Sequence, residues 1–154
     1  MTKATSWVEK LHDSKDLPKV IKLKDEAARH WKGGLMAIPA PLEVDGIMRD
    51  IPQGRLITIN EIREKVAKKH KAEIGCPLTC GIFAWIVANA AEEERDNGKT
   101  DITPYWRTLK SGGFLNEKYP GGIEAQKIFL EKEGHRVVEK GKKYQVLNFE
   151  KSLV

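Results

Sequence analysis

Two cysteines and four histidines are the residues of this sequence best suited to metal binding or nucleophilic chemistry. Cys76 and Cys80 stand just before and inside a predicted helix, so that they could share one helix face. Two thiols with no second pair nearby make a poor zinc site, and disulfides are rare in the cytosol. Cys80 is therefore expected to pack in the core. We predict no metal and no cofactor, since the histidines lack ligand spacing: His12, His30, His70 and His135.

A second set of chemically capable side chains lies in the stretch 103–134. It opens with Pro-Tyr-Trp-Arg at 104–107, continues through a glycine-rich loop to Tyr-Pro-Gly-Gly at 119–122, and ends in a helix. An arginine after such a turn can hold the loop by bonding to carbonyl groups, or to a carboxylate such as Glu133 or Glu124. A structural role is thus the preferred interpretation of the arginine.

The aromatic pair Tyr105 and Trp106 admits two interpretations. Each ring offers a face on which a base or an alkyl group could stack. Each ring could equally fill a former pocket as part of the core. The sequence leaves both interpretations open.

The order of these parts resembles the active-site region of the O6-alkylguanine-DNA alkyltransferases, in their carboxy-terminal DNA-binding domain. The resemblance covers about residues 41 to 138 and includes Ile-Pro-x-Gly at 51–54. In that family the Pro-x-x-Arg segment reads Pro-Cys-His-Arg, and its cysteine thiolate accepts the alkyl group. Here the two central positions are Tyr105 and Trp106, which supply neither a thiolate nor a titrating imidazole, although Glu133 stands at the position of the family carboxylate. The resemblance therefore implies binding without catalysis.

A branch of this family, the alkyltransferase-like proteins, has tryptophan in place of the cysteine and binds alkylated DNA without repairing it. This chain resembles that branch in lacking the thiol and differs in also lacking the histidine. The family's nucleotide-rotating tyrosine corresponds to Ile59, and the arginine that replaces the rotated base corresponds to Gly81. Base extrusion costs a few kcal/mol of stacking, which these two residues do not offset, so that Lys110, Arg107 or another side chain would have to substitute for them. The resemblance implies a pocket formed by Tyr105, Trp106, Arg107, Tyr119, Gly121, Gly122 and Glu133.

Two predicted helices must position a DNA-binding surface. A capping box at Thr58 to Glu61 opens a helix to Lys69, and a second helix runs from Pro77 to about Arg95 after a short polar turn. This is the layout of a helix-turn-helix whose second helix enters a groove, with Ile82, Phe83, Ile86 and Val87 expected in its core. The predicted DNA contacts are Thr79, Cys80 and Gly81 on the second helix, Arg63 and Lys68 on the first, and Lys110 and Lys118 in the loop.

The remaining pattern completes a winged-helix fold. A helix over 123–133 is expected to bury Ile123, Ile128, Phe129 and Leu130. Two alternating runs within 135–149 then predict a hairpin that turns at Lys140-Gly141. The predicted fold class is mainly α with a small β component, in the form of a winged-helix (helix-turn-helix) DNA-binding domain.

The chain before this domain is predicted to be a separate segment. Residues 1–40 form an amino-terminal helical extension, with helices over 5–12 and 25–34 around a short strand at 19–23. Residues 35–44 are interpreted as a linker because Pro39 and Pro41 extend the chain before them. The winged-helix domain covers 41–154 and begins with a helix over 41–50.

Composition bounds the function. The chain has 154 residues, 40% of them hydrophobic, and a net charge of +5, which suits one core and a polyanionic partner. It has no apolar run long enough for a membrane span and no signal-peptide pattern, so we expect a cytoplasmic protein without membrane contact.

We predict a non-catalytic protein that binds double-stranded DNA. Sensing of O6-alkylguanine in DNA repair is a hypothesis that rests on the resemblance, and the sequence identifies no protein partner. One alternative is a protein-interaction scaffold that kept the fold and lost DNA binding. The other is an enzyme of unfamiliar chemistry built on Tyr105, Arg107 and Glu133.

Overall fold

The computed structural model describes residues 6–31 and 34–154. The first described elements are helix α1 (Trp7–His12), strand β1 (Lys19–Lys22), helix α2 (Asp25–Trp31) and strand β2 (Leu35–Ile38). The Ser6 hydroxyl caps α1 by accepting a bond from the Glu9 amide at 3.1 Å, and Leu11 is buried. The predicted helices and strand of this segment are confirmed within the described residues. The predicted beginning of the first helix at residue 5 and the glycine end of the second at Gly33 lie outside them.

The segment predicted to be a linker contains a strand instead. β2 lies in the middle of a three-stranded sheet, antiparallel to β1 and parallel to β4 (Ile74–Gly75). Met36 and Ala37 of β2 are buried. The linker interpretation was wrong because a proline requires only an extended residue before it, and a strand meets that requirement as well as a linker does. The amino-terminal segment therefore contains strands as well as helices, and it pairs with a strand from the chain after residue 41.

Four longer helices follow, with bounds close to the predicted ones. They are α3 (Pro41–Arg49), α4 (Ile59–Lys69), α5 (Pro77–Asp96) and α6 (Gly122–Lys132). The predicted capping box is present at α4, where the Thr58 amide donates to Glu61 Oε1 at 3.0 Å. Two short parallel strands, β3 (Ile57–Thr58) and β5 (Thr108–Leu109), join the start of α4 to the loop that follows α5.

The buried face of α5 consists mainly of small residues. Cys80, Ala84, Val87, Ala88 and Ala91 are at most 4% exposed, and they let α1, α3 and α4 pack closely against this helix. The prediction that Ile82 belongs to this core was wrong, because its side chain is 42% exposed. The alanines lie at helical spacing and turn their own face inward, so that the larger Ile82 points outward.

A second core lies under the carboxy-terminal hairpin. Strands β6 (Val137–Lys140) and β7 (Lys143–Val146) pair antiparallel about the predicted turn. Val146 of β7 is buried in this core together with Leu56, Leu109, Leu115 and Leu130. Ile128, which we expected on the buried side of α6, is 50% exposed, because Gln126 occupies the buried stripe instead. The fold is mainly α with small sheets, as predicted, and within the described residues no helix is long and apolar enough to cross a membrane.

Candidate functional site

The Pro-Tyr-Trp-Arg segment forms a single 3₁₀ turn whose arginine is held by Glu133. Arg107 Nη2 and Nε lie 2.7 Å and 2.9 Å from the two carboxylate oxygens of Glu133, and Nη1 donates to the Ile51 carbonyl at 2.7 Å. Trp106 Nε1 donates to the same carboxylate at 2.9 Å. The predicted structural role of Arg107 is confirmed, since its guanidinium joins the turn to the end of α6 and to the chain after α3.

Glu133 is ionised at neutral pH although it is nearly buried. Burial by itself would raise the pKa of this carboxyl, but the hydrogen bonds and charge of Arg107, with the bond from Trp106, bring the pKa below the ordinary glutamate value. The indole at position 106 donates one hydrogen bond and cannot take up a proton. The site therefore keeps a carboxylate and its arginine but contains no general base at position 106.

Tyr105 fills the position of the acceptor thiol as a core residue. Its side chain is 1% exposed, and its hydroxyl donates to Glu92 Oε2 at 2.6 Å. Its ring contacts the ring of Tyr119 edge-on, with centroids 5.4 Å apart. Burial and the bond to the Glu92 carboxylate both raise the pKa of the Tyr105 phenol, so that it remains protonated. Of the two interpretations left open by the sequence, core filling holds for Tyr105.

Trp106 lies between the core and the surface. Its ring stacks on Phe129, with centroids 4.4 Å apart and planes 18° apart. On its outer side it borders a cavity of about 530 Å³ shared with Arg49, Arg95 and Arg107. Its stacking partner is therefore already present within the protein.

The Tyr-Pro-Gly-Gly segment packs beside this turn. Tyr119 is 3% exposed, and burial raises the pKa of its phenol. Gly121 has φ of +81°, and a Cβ there would lie 2.5 Å from the Cβ of Ala125. The structure thus brings together the predicted pocket residues, but the two tyrosines close the space between them.

An open groove of about 640 Å³ lies instead along the beginning of α5. Ile59 and Gly81, the positions of the family's tyrosine and arginine, both line it. Its opposite wall is the loop that carries Lys110 and Lys118. Trp85 connects the two walls, because its indole N–H donates to the Lys118 carbonyl at 3.1 Å. We call this cavity the α5 groove.

The predicted DNA contacts fall in different places. Gly81, Lys110 and Lys118 line the α5 groove, whereas Lys68 is exposed on α4 outside it. Arg63 Nε donates to the Gly75 carbonyl at 3.0 Å and so supports the turn between α4 and α5. The Thr79 hydroxyl oxygen is buried. DNA contact by these residues stays a prediction.

Cys80 must be removed from the predicted DNA contacts. Its side chain is fully buried, and burial raises the pKa of its thiol to about 12. A buried thiol can neither touch a ligand in the α5 groove nor act as a thiolate. The expectation that Cys80 packs in the core is confirmed.

Gln126 is a structural residue that the sequence did not reveal. Its Oε1 accepts from the Asn116 amide at 2.8 Å, and its Nε2 donates to the carbonyl of Trp106 at 3.1 Å. The fully buried amide thereby links the 3₁₀ turn to the loop beside the α5 groove. Its spacing of four from Leu130 was the available signal, but a glutamine on an amphipathic helix is ordinarily exposed.

Three large apolar side chains on the outer face of α5 were also missed. Leu78 is 69% exposed, Ile82 is 42% exposed and Trp85 is 37% exposed, and all three line the α5 groove. Their spacing of four and three places them on one helix face. A groove wall of this kind is apolar and not basic.

The fold and the site together define a class of protein. The helices and small sheets match the fold of solved alkyltransferase-like structures, and the position that the sequence resemblance aligns with the acceptor thiol is the buried Tyr105. The resemblance found in the sequence is thus confirmed at the level of the fold.

Two solved structures carry the comparison. The crystal structure of S. pombe Atl1 in complex with damaged DNA containing O6-carboxymethylguanine matches with a TM-score of 0.53 and 20% identity, over 74% of this chain and 93% of that one. The structure of S. pombe ATL in complex with DNA matches with a TM-score of 0.55 and 21% identity, over the same shares. At this identity the shared feature is the fold. No family model matches this sequence, and no curated protein sequence matches it.

Proposed function

We propose that this protein binds duplex DNA without performing chemistry on it, in the manner of the alkyltransferase-like proteins. The observation that carries the proposal is the combination of a shared fold with structures that contain DNA and an acceptor position filled by buried Tyr105. The positive net charge and the two lysines of the α5 groove support it, since phosphate contacts supply most of the affinity of such complexes.

In this proposal residues 41–154 act as a winged helix. α4 and α5 form the helix-turn-helix, α5 enters a groove of the duplex, and the β6–β7 hairpin with Lys140, Lys142 and Lys143 is the wing. Residues 1–40 are an extension whose α1 packs on α5. This arrangement places the α5 groove against the DNA.

Alkyl transfer has no support at this site. A transferring enzyme needs a thiolate and a base that removes its proton. Tyr105 is buried, its pKa is raised, and its hydroxyl already donates to Glu92. Incubation with O6-methylguanine DNA followed by mass spectrometry is expected to show the unmodified protein mass, and a covalent adduct would restore the enzymatic alternative.

Recognition of O6-alkylguanine is the more specific part of the proposal. The two tyrosines pack against each other in the inner pocket, and of the two described cavities we assign an extruded base to the α5 groove, beside Trp85, because Ile59 and Gly81 line that groove and not the cavity beside Trp106. Two labelled duplexes that differ by one O6-methylguanine test this point by anisotropy titration. Tighter binding of the lesion duplex is expected. Equal affinities would remove lesion sensing and leave general duplex binding.

A scaffold function is favoured by one observation, the apolar outer face of α5. Exposed apolar groups that share one face are a frequent mark of protein interfaces. Binding of a protein partner through such a face would respond little to salt, whereas DNA binding would weaken steeply. The absence of duplex binding at low salt would therefore favour the scaffold.

A further inference from the structure

The beginning of α5 presents an exposed leucine at its outermost position. Leu78 lies in the first turn of the helix and is the most exposed large apolar residue among those described, at 69%. Ile82 follows one turn later on the same face. From Pro77 to Glu94 this helix carries no lysine or arginine. The exposed side chains that this face offers to DNA are therefore apolar ones, chiefly Leu78 and Ile82.

We propose that Leu78 is an apolar wedge that enters the duplex between two stacked base pairs, with Ile82 packed behind it. This inference rests on the proposed function. Leucine and isoleucine side chains that enter base steps unstack them and bend the duplex, and contacts made along the bent DNA offset the cost. The wedge assigns a DNA-binding role to a residue that the family resemblance does not identify.

The groove beside Leu78 is not filled by a large side chain. Gly81 stands one turn further along α5, and a Cβ at Gly81 would meet no atom within 4 Å. The space beside Leu78 is therefore open where a larger side chain could have stood. Ile59 also lines this space and adds no hydrogen-bonding group. The side chain in this part of the groove that could enter between two base pairs is therefore apolar.

The charges around the wedge complement a duplex. Lys110, Glu117 and Lys118 lie on the wall facing α5, so that an apolar centre has an edge with one net positive charge. Lys110 is paired with Glu117 at 3.3 Å, but both side chains are largely exposed, and such pairs contribute little. Lys110 can therefore exchange this carboxylate for a phosphate. In a bound duplex the bases would lie against the apolar centre of the groove and the phosphates against the lysines at its edge.

The opposite wall is held in place for such contact. Trp85 donates to the Lys118 carbonyl at 3.1 Å and touches the ring of Trp7 edge-on, with centroids 4.8 Å apart. The lysine wall and the Leu78 face are thereby linked through one tryptophan.

Leu78→Ala tests the wedge against a matched control. Leu42→Ala removes the same atoms from another exposed leucine, 44% exposed on α3 and outside the α5 groove. The readout is the fluorescence of short duplexes with 2-aminopurine at successive positions, because this base brightens when it is unstacked. Wild type and Leu42→Ala should raise the fluorescence at one or two positions. Leu78→Ala should abolish the rise and weaken binding by about tenfold, and Leu78→Met should restore both.

The outcomes separate the wedge from the proposed function. If wild type binds duplex DNA and Leu78→Ala matches Leu42→Ala in affinity and fluorescence, the wedge is wrong and DNA binding stands. If wild type binds no duplex at low salt, the proposed function fails, and the α5 face is assigned to a protein partner. Circular dichroism of each variant should match wild type, since neither leucine is buried.

Discussion

At the scale of single residues, the structure contains the Arg107–Glu133 pair, and the position that the family resemblance assigns to the acceptor thiol is Tyr105. Arg107 pairs with Glu133, one of the two carboxylates that the sequence offered, and both residues belong to the motif. The sequence left the burial of Tyr105 open as one of two interpretations, because it depends on Glu92 of α5 and on Tyr119, which lie outside the Pro-x-x-Arg segment. Contacts between residues of one motif were thus easier to predict than contacts between the motif and the rest of the fold.

Replacing Glu133 with glutamine should destabilise the fold in a pH-dependent way. At about pH 7 the variant leaves the nearly buried guanidinium of Arg107 without its carboxylate partner, which should lower the free energy of unfolding by about 3 kcal/mol. The pKa of Glu133 is lowered on folding, so its contribution is present above its unfolded value and disappears as pH falls through its folded value. The difference in unfolding free energy between wild type and variant should therefore shrink below about pH 4.5.

Urea denaturation across this pH range is the measurement. Glu131→Gln removes an exposed carboxylate from the same helix and should stay close to wild type throughout. A Glu133→Gln difference that stays constant down to about pH 3 would show that the carboxylate does not depend on ionisation for its effect.

At the scale of elements, the helices and the carboxy-terminal hairpin were predictable, whereas strand β2 and several buried faces were not. The capping box at Thr58 and the hairpin turn at Lys140-Gly141 are local signals, and both elements lie where the sequence placed them. Ile82 and Ile128 were assigned to the wrong side because small or amide residues occupy the buried stripes of α5 and α6. Which apolar face turns inward depends on neighbouring helices that no local pattern specifies.

The first turn of α6 should respond differently to two glycine substitutions. Gly121→Ala should cost more stability than Gly122→Ala. Both residues have positive φ, at +81° and +68°, which costs an alanine about 1 kcal/mol. Only at Gly121 would the new Cβ also collide with Ala125. Thermal denaturation of the two variants compares them directly, and equal midpoints would show that the turn relaxes around the added methyl group.

Glu93 should control the docking of α1. Its carboxylate accepts from the Trp7 and Val8 amides at 3.0 Å and 3.2 Å, and a helix of six residues is not stable alone. Glu93→Ala should accelerate amide hydrogen exchange over residues 7–12. Glu94→Ala is the control and should not do so, because the carboxylate of Glu94 pairs with Lys99. Unchanged exchange in the Glu93 variant would mean that apolar packing alone holds this helix.

At the scale of the whole molecule, the sequence resemblance identified the fold better than it identified the binding surface. The fold is shared with a solved structure at 20% identity. Within this chain the pairing of Arg107 with Glu133 and the turn at Gly121 hold the segments that carried the sequence resemblance. The binding surface depends on exposed side chains such as Leu78, and the motifs do not constrain those. β2 was missed for a related reason, since its pairing with β1 and β4 joins segments that the predicted domain boundary had separated.

The central claim is that the α5 groove binds duplex DNA, and the salt dependence of affinity tests it most directly. Anisotropy titrations between about 50 and 200 mM salt should give a plot of log association constant against log salt concentration with a slope of about −2 or steeper. Phosphate contacts of Lys110 and Lys118 account for this slope. The double variant Lys110→Ala/Lys118→Ala should make this slope shallower by about two. Lys22→Ala/Lys24→Ala, which removes the same charge outside the groove, should not. Equal slopes for the two double variants, or no duplex binding at the lowest salt, would contradict the account.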